Sequence, residues 1–154
     1  MKKFTIPIKY GIAIAVGLIA YFLILSLFGL HTNPLYSIFN VVIMAIGMYL
    51  ALKDYRRGKK AKFKYQKGFM ATLLTGANAT IIFTIFFGIY CTELNPGFLD
   101  NLIKMWASYY GTGLGVVIFS VAAMGFSTSL VLSLAYMQIF KDSWNTKEGR
   151  EHTF

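Results

Sequence analysis

The chain has 154 residues, of which 56% are hydrophobic and 17% aromatic but only 14% charged, and its mean hydropathy is +0.58. A soluble domain carries about 25% charged residues, so this chain has too little charge to coat a water-facing surface, which excludes a soluble enzyme, a disulfide-built secreted scaffold and a disordered tail. The charge it holds is lopsided, 15 Lys and Arg against 6 Asp and Glu for a net +9, and the two properties coexist only if apolar and basic residues are segregated along the chain.

They are segregated. A bilayer core of about 30 Å needs roughly 20 apolar residues in a helix. Residues 8–30 meet this as a first span, with Lys9 at the edge and no other ionisable residue before His31. Lys2 and Lys3 precede it, but the run exceeds the roughly 7–15 residues of a signal-peptide core and no small-x-small cleavage site follows, so an uncleaved signal anchor is expected. The turn His31-Thr32-Asn33-Pro34 is short, with Asn33 suited to an N-cap and Pro34 to a first helical position. Residues 35–52 should therefore return antiparallel as a second span. Residues 53–68 form a loop with Lys53, Arg56, Arg57, Lys59, Lys60, Lys62, Lys64 and Lys67 against the single acid Asp54, interleaved with Tyr55, Phe63 and Tyr65.

The third span is 69–91. The loop that follows, 92–111, opens with Glu93 and repeats the Asn-Pro pair at Asn95-Pro96, which either shared capping physics or an old duplication of a helical hairpin explains. Beyond it, Phe98, Leu99, Leu102, Trp106 and Tyr109 share one side of a helical projection and Asp100, Asn101, Lys104 and Ser108 the other. This pattern predicts a short amphipathic helix lying at the membrane boundary. The fourth span, 112–140, is long enough to need tilt, and 141–154 is a polar tail. The expected fold is all-α, a single membrane domain of four transmembrane helices with an interfacial helix between the third and fourth.

Fourteen of the basic residues fall before the first span, between spans two and three, or after span four, and only Lys104 lies on the opposite side. The positive-inside rule then places both termini in the cytoplasm. Tyr10, Tyr49, Tyr55, Tyr65, Tyr136 and Trp144 lie near the inner boundary, and Tyr36, Tyr90, Trp106, Tyr109 and Tyr110 near the outer one, as two aromatic belts require. The basic loop can hold anionic lipid, each cation near the surface contributing on the order of 1 kcal/mol, and it is too short and too closely tethered to read as a nucleic-acid site.

The four hydrocarbon stretches hold no Asp, Glu, Lys, Arg or His beyond the boundary Lys9. Such groups mark proton relays and intramembrane catalysis, so neither is expected. A lone cysteine, Cys91, and two separated histidines, His31 and His152, give no metal-binding pattern, and no cofactor is implied. The interior is instead small and hydroxylated: Thr72, Gly76, Thr80, Thr84 and Gly88 recur every four residues on the third span, Gly111 and Gly115 form a GxxxG, and Gly125, Ser129 and Ser133 continue on the fourth. Small residues at this spacing let helix backbones approach in lipid. They suit packing within the bundle, an oligomer interface, or a weakly polar groove in which Asn40 and Asn78 either pair or face a ligand.

The order of a Lys-flanked first helix, Lys53-Asp54-Tyr55-Arg56-Arg57, Gln66-Lys67-Gly68-Phe69 leading into the Thr/Gly-rich helix, and Asn95-Pro96 resembles the small four-helix bacterial membrane proteins grouped as domain of unknown function 4199. The resemblance covers nearly the whole chain. It implies an inner-membrane protein of a Gram-negative bacterium and carries no activity or catalytic residue with it. From the residues themselves, the leading expectation is a non-enzymatic subunit or scaffold, with a second copy or a membrane-protein partner. The second is a small transporter or lipid-handling protein whose basic loop holds a phosphorylated lipid, polyprenyl-linked ones included. An enzyme would need Glu93, Asp100 and His31 to gather at the outer face.

Overall fold

Apolar length decides where these helices run, and backbone capping decides where they stop. The computed structural model describes residues 2–31, 34–57, 65–106 and 113–140. In it, α1 spans Lys2–Leu27, α2 Pro34–Arg57, α3 Tyr65–Ile89, α4 Pro96–Trp106 and α5 Leu114–Ile139, with a π-helical turn, Tyr90–Leu94, joining α3 to α4. The described residues contain no strand, and the fold is all-α. Four helices are long and apolar enough to cross a membrane: α1, α2, α3 with its π turn, and α5. Their large apolar side chains face outward in number, among them Ile8, Ile12 and Val16 on α1, Ile38 and Ile46 on α2, and Phe119 and Val131 on α5. Such a surface suits lipid and would be an aggregation site in water. The chain is a multi-pass membrane protein.

The helix ends differ from the ends of the apolar runs, for local reasons. Apolar sequence continues to Leu30, yet α1 stops at Leu27. Gly29 takes a positive φ of 68°, its N–H bonds the Ser26 carbonyl at 3.1 Å, and the Leu30 N–H bonds the Leu25 carbonyl at 2.9 Å. These are the paired bonds of a Schellman motif, which glycine adopts at least cost, and they turn His31 back towards the bundle. At the other end of the hairpin α2 runs past Leu52 to Arg57, where Arg56 and Arg57 complement the negative helix terminus.

In the π turn the Asn95 N–H reaches back to the Tyr90 carbonyl at 2.8 Å. Asn95 then caps α4, its Oδ1 accepting the Phe98 N–H at 3.1 Å, with Pro96 in the first helical position. The matching cap expected at Asn33 lies outside the described residues. On α4, Phe98 is buried while Gly97, Asp100, Asn101 and Lys104 are exposed, so the expected amphipathic helix covers one end of the bundle.

Helix α3 is central and packs against α1, α2 and α5. A Cβ added at Gly11 of α1 would stand 2.7 Å from the Asn78 Cβ and 3.1 Å from the Thr75 carbonyl oxygen. One added at Gly76 would overlap Ser129 of α5, and one at Gly125 would lie 2.7 Å from the Thr80 hydroxyl. The two small-residue stripes therefore meet each other within the chain. Their hydroxyls mostly bond the carbonyl four residues back: Thr72 to Gly68 at 2.9 Å, Thr75 to Ala71 at 2.8 Å, Ser129 to Gly125 at 2.8 Å and Ser133 to Ser129 at 2.7 Å.

Helices α2 and α5 meet near the basic end, where the Tyr136 hydroxyl donates to the Ala45 carbonyl at 2.6 Å and the Tyr49 ring lies 6.0 Å from Tyr136 and 5.7 Å from Phe140. Towards the α4 end they stand apart.

Gly76→Leu should destabilise the protein by about 1–3 kcal/mol, the usual cost of forcing extra methylenes into a packed contact. Gly115→Leu, where an added Cβ meets nothing within 4 Å, should leave stability unchanged. Thermal unfolding in detergent, followed by unmasking of the buried Cys91 to a thiol-reactive dye, measures both.

Candidate functional site

The gap between α2 and α5 is a cavity of about 870 Å³. Leu18, Phe22 and Leu25 of α1 and Phe83 and Phe87 of α3 form its back wall, α2 and α5 its sides, and Phe98 and Leu102 of α4 its cover. Ile38, Val41 and Met124 on the side walls are exposed, so the cavity opens sideways between α2 and α5. Its volume is within the roughly 300–1,000 Å³ usual for small-ligand sites.

Phe22 organises the end beneath α4. Its ring meets Tyr90 edge-on at 4.9 Å, Phe87 at 5.7 Å, His31 at 5.8 Å and Phe98 at 6.0 Å. Edge-to-face pairs of this kind contribute roughly 0.5–1.5 kcal/mol each beyond area burial. Tyr90 is 4% exposed, so it is a core residue rather than a boundary anchor. Its hydroxyl shares a 2.5 Å hydrogen bond with the Ser26 hydroxyl and accepts from Asn95 Nδ2 at 3.3 Å. The cap of α4 is thereby tied to α1 through one buried phenol.

Three polar atoms of the cavity are unmatched. His31 Nδ1, Asn40 Oδ1 and Thr80 Oγ1 are buried without a hydrogen-bond partner, and all three residues line the cavity. Leaving such a group unsatisfied costs about 1–3 kcal/mol. Ser37, Ser120, Ser127 and Thr128 add hydroxyl-bearing side chains, and among the described residues no Asp, Glu, Lys or Arg lines the cavity. His31 packs its ring on Phe98 at 4.4 Å.

The residues singled out in the sequence divide into groups. Asn40 faces the cavity while Asn78 lies against Gly11 of α1, so the two asparagines do not pair. Thr80 and Gly125 line the cavity floor; Gly76 and Ser129 belong to the α3–α5 contact beneath it, and Thr72 is buried with its hydroxyl on the Gly68 carbonyl. Gly88 lies on the same side of α3, 3.4 Å from Ile118 for an added Cβ. The Thr84 hydroxyl is buried and unpartnered but outside the cavity lining. Gly115 is exposed, and Gly111 lies outside the described residues.

At the basic end, opposite the cavity, Arg57 and Lys67 are exposed, and Arg56 stands over the Phe140 ring at 5.4 Å. Lys59, Lys60, Lys62 and Lys64, the tail from 141, Tyr109 and Tyr110 lie outside the described residues. Glu93 and Asp100 are exposed and do not line the cavity with His31. The sequence reading missed Phe22 and the inward turn of His31. Gly29 was the available signal, since a glycine closing an apolar run implies a reversal.

Burial holds the His31 imidazole below its ordinary pKa of 6.5, with the Leu25 carbonyl partly opposing that shift. The unfolded state therefore takes up the proton first, so this contribution to stability is complete above about pH 6.5 and is lost as pH falls through the lower folded value. Cys91, which packs in the same cluster as Phe22, should become labelled faster below about pH 6.5 than it does in a His31→Phe variant measured at the same pH.

No curated protein and no solved structure is significantly similar to this chain. One family model matches it across residues 9–141, and the chain belongs to that family, described as "Protein of unknown function (DUF4199)".

Proposed function

We propose that this is a non-enzymatic membrane protein that holds a lipid-like amphiphile in the cavity between α2 and α5. The observation that carries this reading is the combination of an apolar, sideways-open cavity of about 870 Å³ with three buried polar atoms that have no partner. A molecule with an apolar body and a polar head supplies what each part lacks. The scaffold reading draws less support from the same structure, because Gly76, Thr80, Gly125 and Ser129 of the small-residue stripes that motivated it are taken up by contacts between α3 and α5.

The charge distribution supports a cytoplasmic location for both termini in a bacterial inner membrane. On that topology the cavity lies in the outer half of the bilayer, and the exposed Arg57 and Lys67 face anionic lipid on the cytoplasmic side.

Protein extracted in native-lipid nanodiscs should retain a lipid by native mass spectrometry. Ala123→Trp, which fills the cavity, should lose it, while Leu134→Trp on an exposed face should keep it. Equal retention in both variants would end the proposal. For sidedness, Asp100→Cys in intact cells should react with an impermeant thiol reagent, and Arg57→Cys only after permeabilisation; the reverse pattern would invert the topology.

A further inference from the structure

Resting on that reading, we infer that the cavity selects a neutral glycerolipid with a free hydroxyl, of the diacylglycerol class, over its phosphorylated counterpart. The argument begins with Thr80. On α3 and α5, the hydroxyls of Thr72, Thr75, Ser120, Thr128, Ser129 and Ser133 each donate to the carbonyl four residues back. Thr80 is 3% exposed and makes no such bond, so its proton is free for an acceptor in the cavity. Asn40 Oδ1 has the opposite need, since a carbonyl oxygen can only accept. A ligand that carries both a donor and an acceptor satisfies both.

Helix register gives the spacing. Gly17 lies against Ile43 and Gly47 against Ile14, which sets Asn40 level with Ala20 of α1. Gly11 lies against Thr75 and Asn78 and Phe22 against Phe87 and Tyr90, which sets Ala20 level with Phe86 of α3. Thr80 lies one and two-thirds turns further in, an axial offset of about 9 Å at the α-helical rise, so the two groups stand at different depths of one cavity. A diacylglycerol carries both complements on one glycerol backbone, with the hydroxyl towards Asn40, the ester carbonyl towards Thr80, and the acyl chains leaving between α2 and α5 over Ile38 and Met124.

Charge decides the remaining choice. Among the described residues no Lys or Arg lines the cavity, and the exposed cations Arg57 and Lys67 belong to the opposite end of α2 and α3. A phosphate placed at Asn40 would be stripped of water beside an acceptor oxygen, with no compensating charge.

The test uses the full chain in nanodiscs with a photoreactive diacylglycerol carrying a diazirine on one acyl chain. Labelling should map to α2 and α5 and be competed by unlabelled diacylglycerol at least tenfold better than by phosphatidate of the same chains. Asn40→Leu with Thr80→Val should weaken labelling about tenfold, the loss expected for two hydrogen bonds, with Cys91 protection confirming that the variant is folded. Equal competition by phosphatidate, or labelling indifferent to the double substitution, would overturn the selectivity while leaving the cavity reading intact. Labelling that survives Ala123→Trp would overturn the cavity reading itself.

Discussion

The close approach of α3 to α1 and α5 is the constraint on which this bundle depends. Lipid is as apolar as the helices it surrounds, so association rests on van der Waals contact and a few hydrogen bonds. Both contacts of α3 use the same device, a glycine of the partner or of α3 itself set under a short side chain: Gly11 beneath Asn78, Gly76 beneath Ser129, Gly125 beneath Thr80. Helices α1 and α5 are both drawn onto α3, and α2 meets α5 over a smaller contact than it makes with α1. Tyr136 bridges the two towards the basic end, and the cavity lies between them towards α4.

Within that space, structure and chemistry are coupled through one aromatic cluster. Phe22 presents its edge or face to rings from α3 and α4 and to His31, while Tyr90 links Ser26 of α1 to the capping Asn95. The cover helix, the wall and the histidine are thus one packed unit. A shift of α4 away from Phe22 would expose His31 and widen the mouth together, because the same ring supports both.

Much of this was readable from residue order. The helices follow from apolar runs, α4 from its alternation of Phe98, Leu99 and Leu102 with Asp100 and Lys104, and its start from Asn95-Pro96. Helix ends were less legible, since hydropathy measures transfer into lipid and not backbone bonding; hence Phe28, Gly29 and Leu30 fall outside α1 and Lys53 to Arg57 inside α2. The partners of the stripes were not legible at all. Thr72, Thr80 and Thr84 share the same four-residue repeat, yet Thr72 bonds its own helix, Thr80 faces the cavity and Thr84 does neither. A repeat of four marks one face of a helix without naming what stands opposite, and crossing angle carries successive positions from contact into open space. His31 was likewise readable only as a loop residue, because its burial depends on a backbone reversal and on rings distant in sequence.

The hydrogen bond from Tyr136 to Ala45 has one more consequence. It ties α2 to α5 between the cavity and the basic end, which gives the space a floor on that side. A ligand of the kind proposed would therefore enter and leave the recess on the α4 side of that bond.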